Sequence, residues 1–282
     1  MSGVRCQVSG CRLQVVGVEY IERQFGLMIW LIGGTSESVI IARLLSDLKQ
    51  DFVVTVTTDS ACKLYENIND IQVVVTKLSL AQMRYFISVW QVFAIIDASH
   101  PFALEVSQNA IHLVTSSQGL CLSYLRYERE TVTTNNHKNV FYYPDLQSLL
   151  SDNWILKQKK VLLTIGAKYL HLFKPYHHQA QFYARILPYQ SSLELAEKAG
   201  FGCDRIIAIR PPLSLELEKA LWQLWDIEIV VTKAGGKAGG EDIKYQLAEE
   251  LKIPLVVIKR PSLNYPLMAK SVEDVKEFLK NF

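Results

Sequence analysis

Met28-Ile29-Trp30-Leu31-Ile32-Gly33-Gly34-Thr35-Ser36-Glu37 decides how this chain reads. Its apolar run stops at two glycines, and Thr-Ser-Glu then opens an amphipathic segment that extends to Leu48. A continuous apolar run, turn glycines and then a helical period predict a buried strand, a tight turn and a helix. The glycines let backbone approach a ligand closely, and the helix start offers N–H groups and a positive dipole end to a phosphate. Thr35 or Ser36 as helix N-cap, with Glu37 in the dipole-favoured first turn, is compatible with that reading.

Upstream, residues 1–27 contain Arg5, Arg12 and Arg23 and hold no apolar stretch of signal-peptide length. They are read as a mis-assigned start or a disordered extension, with a strand at Leu13–Val18 as the alternative. Downstream, short apolar runs alternate with helical periods. Strands are predicted at 29–32, 52–56, 72–75, 92–96 and 121–125, with helices over 36–48 and 80–89 between them. A polar interval, 128–139, containing Thr133-Thr134-Asn135-Asn136, marks a boundary. The alternation then resumes, with strands at 161–164, 181–186, 206–209, 229–232 and 255–258 and helices over 191–199, 214–224, 241–251 and 272–279. This βαβα order predicts two Rossmann-like α/β domains with parallel sheets, 28–130 and 131–282, and a cleft between them. One continuous sheet is also consistent with the order.

Composition narrows the function. The 282 residues are 49% hydrophobic, enough for a substantial core, and the formal charge of +2 does not suggest a nucleic-acid binder. No apolar run approaches a membrane span. Cys6, Cys11, Cys62, Cys121 and Cys203 form no CxxC pair and are odd in number, as in a reduced cytoplasmic protein.

Four further motifs carry chemistry. Thr57, Thr58, Asp59 and Lys63 follow the second strand, where a dinucleotide fold meets the adenosine ribose; hydroxyls and a cation lean toward NADPH, and the acid leaves NADH open. Asp59 also suits a helix cap. Asp97-Ala98-Ser99-His100-Pro101-Phe102 lies at the carboxyl end of the fourth strand, a ligand position in open α/β sheets; a capped turn with Pro101 at the first helical position is the plainer reading. Thr232-Lys233-Ala234-Gly235-Gly236-Lys237-Ala238-Gly239-Gly240-Glu241 reads as an anion nest rather than a surface loop, and its spacing is not that of a P-loop. Thr164-Ile165-Gly166-Ala167-Lys168 repeats the strand-turn-helix logic in the second half. The adjacent His177 and His178 lack ligand-spaced partners, so no metal site is expected.

In this order the motifs resemble the precorrin-6A reductase / cobalt-precorrin-6A reductase family of cobalamin biosynthesis, from about Met28 to the C-terminus. Asp97-Ala98-Ser99-His100-Pro101-Phe102-Ala103 is the most specific string. Leu125-Arg126-Tyr127-Glu128-Arg129, Ala184-Arg185-Ile186-Leu187-Pro188 and Lys259-Arg260-Pro261 join the turns above. The chain departs from the family at Pro211-Pro212-Leu213-Ser214, where Gly-Pro-Phe-Ser is common, and at Ala234-Gly235, where an acid and a serine are usual.

The resemblance implies NAD(P)H-dependent reduction of an anionic tetrapyrrole, precorrin-6A or its cobalt form, to the 6B form. By it, Gly33, Gly34, Thr35, Ser36, Glu37, Thr57 and Thr58 hold the cofactor, NADPH or NADH, with Asp97, Ser99 and Pro101 near the nicotinamide. His100 is the candidate acid if the protein supplies one. Lys168, Arg185, Arg210, Lys233 and Lys237, with the backbone of Gly235, Gly236, Gly239 and Gly240, meet the substrate carboxylates. A non-catalytic NAD(P)-binding sensor and a transferase using a nucleotide-linked donor are the rival readings.

Overall fold

The computed structural model describes residues 6–7, 27–69, 71–116, 122–128 and 139–282. The proposed strand at 13–18, Cys121 and residues 133–136 lie outside that set. The chain forms two compact units, Met1–Arg129 with Ser262–Phe282, and Glu130–Pro261.

With strands numbered along the whole chain, the first unit contains β1 (Cys6–Gln7), β2 (Met28–Ile32), β3 (Phe52–Val56), β4 (Gln72–Val75), β5 (Val92–Asp97), β6 (Ser123–Tyr127) and β13 (Met268–Ala269). They form one parallel sheet ordered β1-β4-β3-β2-β5-β6-β13. Helices α1 (Ser36–Asp47), α2 (Asp59–Cys62), α3 (Leu80–Val89), α4 (Leu104–Ser116) and α9 (Val272–Leu279) accompany it. The apolar run of β2 is continuous because both faces of the sheet are covered. Ile29 and Leu31 pack with Ile41, Leu45, Val275 and Phe278 of α1 and α9. Met28, Trp30 and Ile32 pack with Met83, Phe86 and Leu113 of α3 and α4. The one polar atom of buried Trp30, its indole N–H, donates to Thr55 Oγ1 at 2.8 Å.

The second unit contains β7 (Val140–Tyr143), β8 (Lys160–Thr164), β9 (Gln181–Ile186), β10 (Ile206–Ala208), β11 (Ile229–Lys233) and β12 (Leu255–Ile258). This sheet is also all parallel, ordered β10-β9-β8-β11-β12-β7. A 3₁₀ run, Ala167–Tyr176, and helices α5 (Leu146–Ser151), α6 (Gln190–Lys198), α7 (Leu215–Leu224) and α8 (Glu241–Leu251) connect its strands.

Both units share one winding. In each, an inner strand (β2, β8) is flanked on one side by the next two strands in sequence and on the other by the fourth and fifth. The order therefore reverses between β2 and β5 and between β8 and β11. In doubly wound sheets such a switch point opens the ligand crevice at the strands' carboxyl ends.

Three expectations need correction. The second domain does not extend to residue 282, because β13 pairs with β6 and α9 buries Val275 and Phe278 in the first core. The last amphipathic helix reads the same in sequence whichever sheet it covers. Strands β7 and β13 were not anticipated; β7 lies at the sheet edge with no residue fully buried, and β13 has only two residues. Within residues 1–27, Cys6 and Gln7 extend the sheet beside β4, satisfying backbone groups that an edge strand would expose.

Candidate functional site

At the first switch point, Gly33 N–H donates to Thr55 O at 2.9 Å and Gly34 turns at φ 99°. Thr35 caps α1 reciprocally with Ser38, whose amide donates to Thr35 Oγ1 at 3.1 Å while the Thr35 amide donates to Ser38 Oγ at 3.0 Å. The same Thr35 hydroxyl donates to Ala98 O at 2.8 Å, and Ala98 N–H donates to Ile32 O at 3.0 Å. The turns after β2 and β5 are thus sewn together.

Tyr65 is a member of this site that sequence reading missed. Its buried hydroxyl accepts from Gly34 N–H at 2.9 Å and lies 2.5 Å from Ser38 Oγ. Burial raises its pKa above the ordinary tyrosine value. A Cβ on Gly33 would stand 2.3 Å from that hydroxyl oxygen and 2.9 Å from Val54 Cγ1, so position 33 has no room for a side chain. No local pattern around Tyr65 announces this role, since the contact spans 31 residues.

Ser36 is exposed, and its hydroxyl donates to Glu37 Oε2 at 2.9 Å. Thr57 and Thr58 are exposed at the end of β3, where Thr58 caps α2 by accepting from Ala61 N–H at 3.2 Å. Asp59 occupies the first turn of α2.

Asp97 is a correction. Its carboxylate is 0% exposed and faces inward. Oδ1 accepts from Ser99 N–H and Arg126, both at 3.0 Å; Oδ2 accepts from the hydroxyls of Ser107 at 2.6 Å and Tyr124 at 2.8 Å. Arg126 also donates to Ser99 Oγ at 3.1 Å, and its guanidinium lies 5.4 Å from the Tyr265 ring centroid. Asp97 and the buried Ser99 therefore shape the turn from within and do not present side chains to a cofactor. Burial and the Asp97 charge push the Tyr124 phenol far up. His100 is the first exposed residue of the loop, followed by half-buried Pro101. Its Nδ1 accepts from Phe102 N–H at 3.2 Å, so a neutral ring carries its proton on Nε2.

At the second switch point, Gly166 turns at φ 90° after β8 and leads to Lys168 and Tyr169. Lys233, the last residue of β11, places Nζ 4.8 Å from the Tyr169 ring centroid. Burial, then the nearby Lys168 charge, lowers its pKa to about 8. After β10, Arg210 bonds the Tyr189 hydroxyl and lies 5.6 Å over its ring, just before the cis Pro211–Pro212 bond. After β12, Arg260 Nε donates to Ala234 O at 2.9 Å. Lys233 thus ends β11, and Lys168, Arg210 and Arg260 follow β8, β10 and β12, along one carboxyl edge.

Two substrate-side expectations are overturned. Arg185 lies within β9, 8% exposed, and is ion-paired with Glu218, which also accepts from Trp222 Nε1 at 3.2 Å. Strand alternation turns Arg185 into the core beneath α7 rather than toward the carboxyl edge. The glycine loop is no open nest either. Gly235 donates to Lys233 O at 2.7 Å, Gly239 to Gly236 O at 3.0 Å and Gly240 to Lys237 O at 2.9 Å. Gly236 N–H donates to Glu241 Oε2 at 2.6 Å, so the chain's own carboxylate already occupies the turn. Lys244 closes it from below, donating to Gly239 O at 2.7 Å and Gly240 O at 3.0 Å. Lys237 is exposed on the loop.

A glycine turn at the switch point of each parallel sheet's order, leading to a capped helix in the first, places the chain among the doubly wound α/β proteins. The family model for precorrin-6x reductase CbiJ/CobK matches residues 28–281. The cobalt-precorrin-6A reductase of Synechocystis sp. is 39% identical over 252 residues, covering 89% of this chain and 95% of that protein. The cobalt-precorrin-6A reductase of Priestia megaterium is 32% identical over 259 residues, covering 90% and 98%. The solved structure of CobK precorrin-6A reductase superposes with a TM-score of 0.72 at 22% identity, covering 91% of this chain and 97% of that one. The chain belongs to the precorrin-6x reductase family, oxidoreductases of corrin ring biosynthesis that draw on a reduced nicotinamide cofactor.

Proposed function

We propose that this chain reduces cobalt-precorrin-6A with NADPH, the first unit holding the cofactor and the carboxyl edge of the second receiving the macrocycle's carboxylates. The observation that carries the reading is that edge: four of the six strands end in a cation or are followed by one, and two of these cations are set against tyrosine rings. A wide, flat polyanion is bound by separated charges beside aromatic faces. The cobalt form is chosen because the relatives at 39% and 32% identity are named for it.

The first switch point fits a pyrophosphate. Neither Gly33 nor Gly34 carries a side chain, and the reciprocal cap between Thr35 and Ser38 fixes the start of α1, whose N-terminal dipole end would face the phosphate oxygens. Thr57 and Thr58 would meet the adenosine ribose. When bound, the reduced nicotinamide supplies a hydride. The protein's part is to orient both rings and exclude water. Pro101 and His100 would stand in the loop nearest the nicotinamide. The reaction is expected in the cytoplasm, and no described helix is long and apolar enough to cross a membrane.

The test is NADPH and NADH oxidation at constant protein, with cobalt-precorrin-6A and with metal-free precorrin-6A. Oxidation coupled to loss of macrocycle conjugation supports the reading and ranks both cofactors and both substrates. Tight NADPH binding without turnover would replace it with the sensor reading. Absence of cofactor binding would remove the first unit's role.

A further inference from the structure

We infer that Lys233 is the proton donor of the reduction: its ammonium, fixed at the carboxyl end of β11 against Tyr169 and across from Gly166, touches the bound macrocycle and delivers the proton that accompanies the hydride. The inference rests on the proposed reductase reading and assigns a role that hydride transfer itself leaves open.

The placement argues for it. Lys233 stands at the second switch point, where ligands of doubly wound sheets sit. Its ammonium is held rather than free to wander, with Nζ 4.8 Å from the centroid of Tyr169. Across the turn lies Gly166, where an added Cβ would stand 3.9 Å from Nζ, so the ammonium borders the glycine turn after β8. Other cations on or under the edge are less suited. Lys244 is 1% exposed and spends its ammonium on two loop carbonyls. Arg210 and Arg260 carry guanidiniums, which do not release protons in the working range.

The charges facing Lys233 favour release. Lys168, from the 3₁₀ run, is the neighbouring cation, and Tyr169 of the same run presents its ring face. Arg260, following β12, is bonded to the carbonyl of Ala234, the next residue after Lys233. Burial, and then the Lys168 charge, bring the lysine to about 8, near working pH, where a general acid is most effective.

The step balances. The conjugated system gains two electrons and one hydrogen as hydride, and the nicotinamide C–H bond breaks to leave the oxidised pyridinium. One π bond of the macrocycle is consumed. Lys233 breaks an N–H bond and gives H⁺ to the electron-rich ring atom, nitrogen or carbon, at the other end of that π system. The neutral amine is then reprotonated by water.

Lys233→Arg separates donor from anchor, because arginine keeps the charge and loses the transferable proton. Macrocycle affinity, read from its absorbance shift without cofactor, is expected to stay within a few-fold of wild type. The kcat is expected to fall by roughly 10²-fold or more, the usual worth of a positioned acid. In the wild type, kcat should decline on the basic side of about pH 8 and show a solvent deuterium isotope effect. A second variant guards against a folding defect: Lys168→Gln removes the neighbouring charge and should move the basic limb to higher pH. Near-normal kcat in Lys233→Arg, or a limb unmoved by Lys168→Gln, would overturn the inference and leave Lys233 as a carboxylate anchor. Failure of the wild type to turn over would instead strike the reductase reading beneath it.

Discussion

Gly33 is constrained by volume rather than by backbone angle. Its missing Cβ would enter the space of the Tyr65 hydroxyl and Val54, both buried in the first core. Gly33→Ala must therefore displace Tyr65, breaking its bonds to Gly34 and Ser38. An expected loss of about 2 kcal/mol, from overpacking and the lost hydrogen bond, should appear as a lower Tm. NADPH affinity should fall with it. Asp97 is constrained by charge. Asp97→Asn leaves buried Arg126 with only the longer ion pair to Glu128, at 3.6 Å, and removing one member of a buried pair costs roughly 3–5 kcal/mol. A lowered urea midpoint at unchanged m-value would establish this; an unchanged midpoint would show that the cluster does not hold the turn. Both glycines and the Asp-Ala-Ser-His string stood out in the sequence. What Asp97 faces did not, because Ser107, Tyr124 and Arg126 reach it from 10 to 29 residues away.

The helix start at Thr35 links local chemistry to the site. One hydroxyl caps α1 and also bonds the carbonyl of Ala98, so it fixes the distance between the two turns. Thr35→Ala should cost about 1–2 kcal/mol and weaken NADPH binding, whereas Thr35→Ser, which keeps the hydroxyl, should restore most of both. Thermal melts and cofactor titration of the pair check this; equal loss in the two variants would shift the cause to the methyl group. The 234–240 loop shows the opposite relation of sequence to element. Four glycines between lysines suggested backbone amides turned outward. Glu241 draws the Gly236 amide inward, because a buried carboxylate needs donors, and the amides of Gly235, Gly239 and Gly240 are spent on carbonyls of the same loop.

Over the whole molecule, the buried lysines set an unusual pH dependence. Lys244, like Lys233, has a folded pKa lowered to about 8, chiefly by burial. A free lysine titrates near ~10.4, so between about 8 and ~10 the unfolded chain binds more protons and stability rises with pH. Below about 8 both states are protonated and the penalty is complete. Above ~10 the sign reverses, since the raised phenols of Tyr65 and Tyr124 stay protonated only in the folded state. Lys244→Met should flatten the rising limb by on the order of 3 kcal/mol, read as the pH slope of unfolding free energy. An identical slope in the variant would remove Lys244 as its source. By itself the sequence determined the α/β class, the inner strands and most helices, the glycine turn between β2 and α1 and the family, because each depends on a local period or a contiguous string. Tertiary structure alone decided that the C-terminal helix returns to the first sheet, that Asp97 and Arg185 face inward, that Glu241 fills its own loop and that Tyr65 stands at the turn. Those outcomes depend on which residues far apart in the chain share one volume, and periodicity carries no record of that.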